Sequence, residues 1–188
     1  MSFQQFIVIP VFIALQAFTM MVVAPSIPGN SAAIGGGGLV TWIAFQAWAM
    51  YFLAGCTPKM AMKTLAGYAG GIVASIAIFE LHNLLTLLDT ASAPWGLYLA
   101  VFIVVIFVIS AEKVPGLDFI PAYFIGAGVF FGLMTHCAKP TAISMPTWYA
   151  QLAVPEIVAC VVGLAFGWVT VTFRTKYEAK FTAKASAQ

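Results

Sequence analysis

The chain has 188 residues, of which 62% are hydrophobic and only 7% charged, and its mean hydropathy is +1.00. A soluble domain is about a quarter charged because its surface must be wetted. Eight basic and six acidic residues cannot cover a body of 20.0 kDa, so lipid is the solvent for most of this surface. That excludes a nucleic-acid binder, a cytosolic enzyme and a secreted disulfide scaffold.

A helix crosses a bilayer core of ~30 Å with about 20 apolar residues. The first segment to meet that demand is Phe6–Ala24, with Gln16 and Thr19 as its polar members. No positive residue precedes it and no small-x-small cleavage site follows, so the reading is a retained helix rather than a signal peptide. The second, Leu39–Cys56, carries Thr41 and Gln46 among the aromatics Trp42, Trp48 and Tyr51. A mid-bilayer amide is costly unless it bonds to another helix or to water. Gln16 and Gln46 are therefore expected either to bond one another or to line a pathway for a small hydrogen-bonding solute.

The third segment, Thr64–Leu81, contains Gly67, Gly70 and Gly71, together with Tyr68 and Ser75. Glu80 and His82 close it at the outer mouth. The fourth, Trp95–Ala111, includes an unbroken apolar run from Val101 to Ile109, which is lipid-facing helix and not the alternation of a β-barrel strand. The fifth, Phe119–Cys137, bears Gly126, Gly128 and Gly132 and ends at His136.

The sixth ends at Phe173, and its start is open. Begun at Tyr149 it is long and tilted, with Glu156 roughly 10 Å deep at ~1.5 Å per residue. Begun at Pro155 it is 19 residues, and Pro155-Glu156 is an ordinary first turn at the outer interface. Gly163 and Gly167 lie further along. The basic tail, 174–188, either extends this helix or lies on the anionic leaflet.

The fold class is thus all-α, a polytopic membrane protein with six transmembrane helices. Seven of the eight basic residues (Lys59, Lys63, Lys113, Arg174, Lys176, Lys180 and Lys184) fall on one side if the spans alternate, and Lys139 falls on the other. Cytoplasmic N- and C-termini follow from that bias. Cys56, Cys137 and Cys160 then share no oxidising compartment, and their spacing matches no metal site, so neither disulfide, metal nor cofactor is expected.

Helices in lipid associate through small residues that let backbones approach. Gly67/Gly71, Gly128/Gly132 and Gly163/Gly167 each have that spacing, and Gly126 extends the fifth helix's face. They serve either packing, within the chain or in a homo-oligomer, or a narrow path lined by exposed carbonyls. Helices three and six share the glycine pair. Helices two and five share an aromatic run, Trp48–Gly55 against Tyr123–Gly128. Both likenesses fit a 3+3 inverted repeat, which in many transporters places the site at the repeat interface.

The run Phe119-Ile120-Pro121-Ala122-Tyr123-Phe124-Ile125-Gly126-Ala127 resembles the F-V-P-G-x-F-I-G-A run of the YcdZ-like bacterial inner-membrane family, departing from it at Ala122. Phe52-Leu-Ala-Gly55-Cys56-Thr57 is similar to that family's F-x-G-C-T segment. The resemblance implies an inner-membrane protein carrying a domain of unknown function, and no substrate.

No nucleophile–base pair assembles from this sequence, so an enzyme is not expected. Three functions remain. The first is a channel or facilitator for a small, largely neutral polar solute such as urea, a short amide or ammonia. Its pathway candidates are Gln16, Gln46, Gly67, Gly71, Gly126, Gly128, Gly163, Gly167 and Glu156. The second is a proton-coupled secondary transporter using Glu156, since an ionisable residue at membrane depth is a functional hypothesis by default. The third is an accessory subunit of a larger membrane complex. The outer mouth is assigned to Glu80, His82 and His136.

Overall fold

The computed structural model describes residues 2–24 and 39–185. Among them there is no strand, and the helices run in chain order as α1 (Phe3–Phe6), α2 (Val8–Val23), α3 (Leu39–Leu53), α4 (Pro58–Leu85), α5 (Trp95–Ser110), α6 (Ile120–His136) and α7 (Met145–Ala185). Four continuous helical segments are long and apolar enough to cross a membrane: Phe3–Val23, Pro58–Leu88, Trp95–Lys113 and Met145–Phe181. α6 is a shorter apolar helix of 17 residues, and α3 is described over Leu39–Leu53. The protein is a polytopic all-α membrane protein.

Local chemistry sets most boundaries. Ser2 and Gln5 form a reciprocal capping box at α1. Thr57 caps α4 through the Met60 amide, with Pro58 at the first helical position, where a missing N–H costs nothing. Between them, Gly55 and Cys56 both take positive φ, 92° and 63°, which turns the chain from α3 into α4. Asp89 accepts from the Gly96 amide at 2.8 Å and so caps α5 from the preceding loop.

α7 departs from both sequence readings of the sixth span. It is 41 residues long and begins at Met145, so Pro155 lies inside it. Pro155 donates no backbone N–H, and the Gln151 carbonyl lacks its usual intrahelical partner. The tail after Phe173 continues this helix to Ala185. Its last three residues, 186–188, lie outside the described residues.

The core is built from two close helix pairs, α3 with α7 and α4 with α6. In each, glycines remove the side chains that would hold the backbones apart. A Cβ on Gly67 would strike Ala122, and one on Gly71 would strike the backbone at Tyr123 and Ala127. On the other pair, a Cβ on Gly163 would strike the Ala44 carbonyl, and one on Gly167 the Tyr51 side chain. Both contact orders ascend together, so each pair is parallel. Tyr149 reaches Glu80 at one end of α4 and α7, and Tyr177 reaches Gln5 at the other end of the molecule. These contacts make the helices alternate in direction, with Gln5, Lys63, Lys113 and Arg174 at one end and His136 and Lys139 at the other.

The pairing obeys the exchange expected of two inverted three-helix halves. Replacing each helix by its counterpart three spans on turns the α3–α7 pair into α6–α4, and the α2–α7 contact into α5–α4. The second seam is unequal: α5 packs closely along α4, whereas α2 touches α7 at few points. With the glycines matched in order, Gly163 and Gly67 set Ala44–Ala47 against Ala122–Tyr123, and Gly167 and Gly71 set Tyr51 against Tyr123–Ala127.

Candidate functional site

Eleven residues into α7, roughly 16 Å along its axis at ~1.5 Å per residue, Glu156 is fully buried, with 0% of its surface exposed. Neither carboxylate oxygen has a hydrogen-bond partner among the described residues. Its surroundings come from two helices. Cys160, one turn on and also fully buried, lies on the same face of α7. Tyr68 of α4 is equally enclosed, and its hydroxyl too has no partner among the described residues. The three groups are close enough to interact electrostatically. Taking an ionised carboxylate out of water without a partner is among the costliest arrangements in a protein. Among the described residues no lysine, arginine or histidine answers this one.

A second polar group ties α2 and α3 to α7. The Trp48 indole donates to Thr170 Oγ1 at 3.1 Å, and that hydroxyl donates to Gln16 Oε1 at 2.8 Å. Gln16 Nε2 completes the set on the Phe166 carbonyl at 3.3 Å. Gln16 therefore makes the interhelical bond expected of a buried amide, but to Thr170 and not to Gln46. Gln46 sits elsewhere, on a groove of about 160 Å³ between α3 and α6, with its Oε1 buried and unbonded among the described residues. Ser75 closes the α4–α6 seam through the Ala127 carbonyl at 3.2 Å.

The glycine candidates divide. Gly67, Gly71, Gly126, Gly163 and Gly167 are all in contact with a neighbouring helix of the same chain, so in this conformation they are packing surfaces. Gly128 has open space where a Cβ would stand, and it lines the Gln46 groove.

The outer-mouth residues do not converge. Glu80 accepts the Tyr149 hydroxyl at 2.8 Å. His82 Nε2 lies 2.8 Å from Asp89 Oδ2, and this contact, with the Gly96 amide, holds the Asp89 carboxyl below the usual carboxylate range. His136 stays local, bonded to Thr135 and to the Gly132 carbonyl of its own helix. At the opposite end, Lys63 pairs with Asp118 at 2.7 Å and ties the start of α4 to the start of α6. That lysine's hydrogen bond holds the Asp118 carboxyl low as well. Among the described residues no group of three or more His, Cys, Asp and Glu side chains gathers to hold a metal.

The sequence names Tyr68 only as one of the aromatics that could wall a pathway, and it passes over Cys160 as a site residue. Cys160 was within reach, because positions i and i+4 share a helix face. Tyr68 had one pointer, its place beside Gly67 on the face that packs.

The family described as "Protein of unknown function (DUF1097)" matches residues 6–174, nearly the whole membrane body. The chain belongs to this family. No curated protein and no solved structure matches it. Family membership fixes the extent of the domain, which takes in every helix from α2 to the membrane part of α7. It names no substrate, so the chemistry has to come from the buried groups themselves.

Proposed function

We propose that this protein is a proton-coupled secondary transporter of the bacterial inner membrane, with both termini cytoplasmic, in which Glu156 carries the proton. The supporting observation is the isolation of Glu156: a fully buried carboxyl, without a cationic or hydrogen-bonding partner among the described residues, inside a helix that spans the membrane. Such a group is costly to retain for packing alone, and intramembrane carboxyls characteristically serve proton relays. Inverted halves are an architecture of secondary transporters. The likeness of Phe119–Ala127 to the YcdZ-like motif and the basic bias of one end favour the inner membrane and the orientation.

In this reading the enclosed state carries Glu156 protonated, and exposure of Tyr68 and Glu156 to water at either end lets the proton exchange. The Lys63–Asp118 pair and the Tyr149–Glu80 bond are the polar closures at the two ends. The passive facilitator loses ground because five of its glycines are covered by helices.

Proteoliposomes given an inward proton gradient test this with labelled urea, acetamide, glycerol, acetate and methylamine. The native protein should accumulate at least one of them above empty vesicles. Glu156→Gln should abolish accumulation without loss of reconstituted protein. Accumulation of none, or accumulation undiminished in Glu156→Gln, overturns the proposal.

A further inference from the structure

α4 and α7 come from different halves of the bundle. Tyr149 reaches Glu80 toward one end, and the Tyr68 and Cys160 side chains interact electrostatically further in. Toward the basic end a groove of about 490 Å³ opens between the two helices, with Tyr51 of α3 at its floor. That volume is within the roughly 300–1,000 Å³ of ligand pockets. Pro58 and Met62 form one wall, Leu164 and Trp168 form the other, and no charged side chain enters the lining. The Tyr51 hydroxyl is spent on the Cys56 carbonyl at 3.0 Å. Met62, Val161 and Trp168 stay exposed, so among the described residues nothing covers the groove, and it faces the bilayer.

The charge at the mouth of the groove is one-sided. Lys59 follows Pro58 in the first turn of α4, is exposed, and has no ion-pair partner among the described residues. Lys176, two turns past Trp168 on α7, is likewise exposed and unpaired among them. Asp118 already answers Lys63, and Glu178 answers Arg174. The first turn of α4 holds no acid, although the positive end of a helix dipole favours an anion and opposes a lysine. An anion seated at Lys59 meets both charges. An acyl chain gains little by leaving the bilayer for an apolar groove, because lipid is already as apolar as the lining. The cations at the mouth therefore decide which lipid is preferred, each lysine near an anionic headgroup giving a preference of about fivefold.

We propose that this groove holds one acyl chain of an anionic phospholipid from the leaflet at the basic end, with the lipid phosphate at Lys59 and Lys176. The chain lies against Trp168 and Met62 and wedges the seam between the two halves. Leu65 and Leu164, within about a turn of Tyr68 and Cys160, separate it from the Glu156 enclosure. The site does not depend on what the protein transports.

Mass spectrometry of the intact detergent-solubilised protein, offered equal amounts of phosphatidylglycerol and phosphatidylethanolamine with the same chains, measures the preference. The native protein should retain phosphatidylglycerol by at least about fivefold. Lys59→Gln combined with Lys176→Gln should remove most of that preference. Ala165→Phe, which places a ring in the groove, should lower retention of phosphatidylglycerol. Brominated chains locate the lipid: brominated phosphatidylglycerol should quench the fluorescence component that Trp168→Phe removes, and at a lower mole fraction than brominated phosphatidylethanolamine. Native-like elution in detergent separates these effects from misfolding. Equal retention of the two lipids by the native protein overturns the proposal. So does a native preference in the double lysine variant, native retention in Ala165→Phe, or a Trp168 that brominated chains leave unquenched. Elution as an oligomer that Ala165→Phe dissociates makes the groove a contact between copies, and overturns it too.

Discussion

Thr170 holds three helices through one hydroxyl. It receives the Trp48 indole N–H from α3 and reaches Gln16 on α2, and it is 4% exposed. Thr170→Val keeps the shape and leaves the indole donor and the Gln16 oxygen unpaired in an apolar setting. A loss of about 1–3 kcal/mol is expected for such orphaned groups, read as a lower unfolding temperature in detergent, with Thr170→Ser restoring most of it. Native stability in Thr170→Val would show that Gln16 finds another partner. The sequence identifies Gln16 and Gln46 as buried amides but pairs them wrongly. Position along a helix gives depth, whereas partnership depends on rotation about the axis and on which helix stands opposite. Thr170 lies 154 positions from Gln16, and no local pattern joins them. Glu156 is the reverse case. The residue type alone marks it, and only its depth was open.

At the scale of elements, glycines fall into positions that touch and positions that do not. Gly163→Ala drives a methyl into the Ala44 carbonyl, which is backbone and cannot swing away. A destabilisation of about 1–3 kcal/mol is expected from such overpacking. Gly128→Ala meets nothing within contact distance and should unfold like the native protein. Equal unfolding midpoints for the two variants would refute the pairing of α3 with α7. The six spans and the glycine faces were legible because lipid imposes length and small residues impose proximity. The start of α7 was not. Pro155 reads as a first-turn proline, yet Trp148, Tyr149 and Leu152 are buried ahead of it and extend the helix back to Met145. In a bundle, a proline inside a membrane helix is tolerated where neighbours enclose the freed backbone group.

For the whole molecule, alternating helices put Cys56 and Cys137 at opposite ends, with Cys160 buried between them. A membrane-impermeant maleimide should label Cys137 on intact spheroplasts and Cys56 on inverted vesicles. Cys160 should label on neither. Burial pushes the Cys137 thiol up, so its thiolate is scarce at neutral pH and labelling should accelerate as pH rises. Labelling of Cys56 from outside would reverse the proposed orientation while leaving the fold intact. The unequal seams between the halves have one further consequence. If the two halves were identical, exchanging their conformations would convert a form open to one side into its mirror open to the other, at no cost in free energy. Here α5 is held tightly to α4 while α2 rests lightly on α7, so the two forms cannot be degenerate. On the proposed transporter reading the looser α2 is the element to give way first, and that bias decides which compartment the unloaded protein faces.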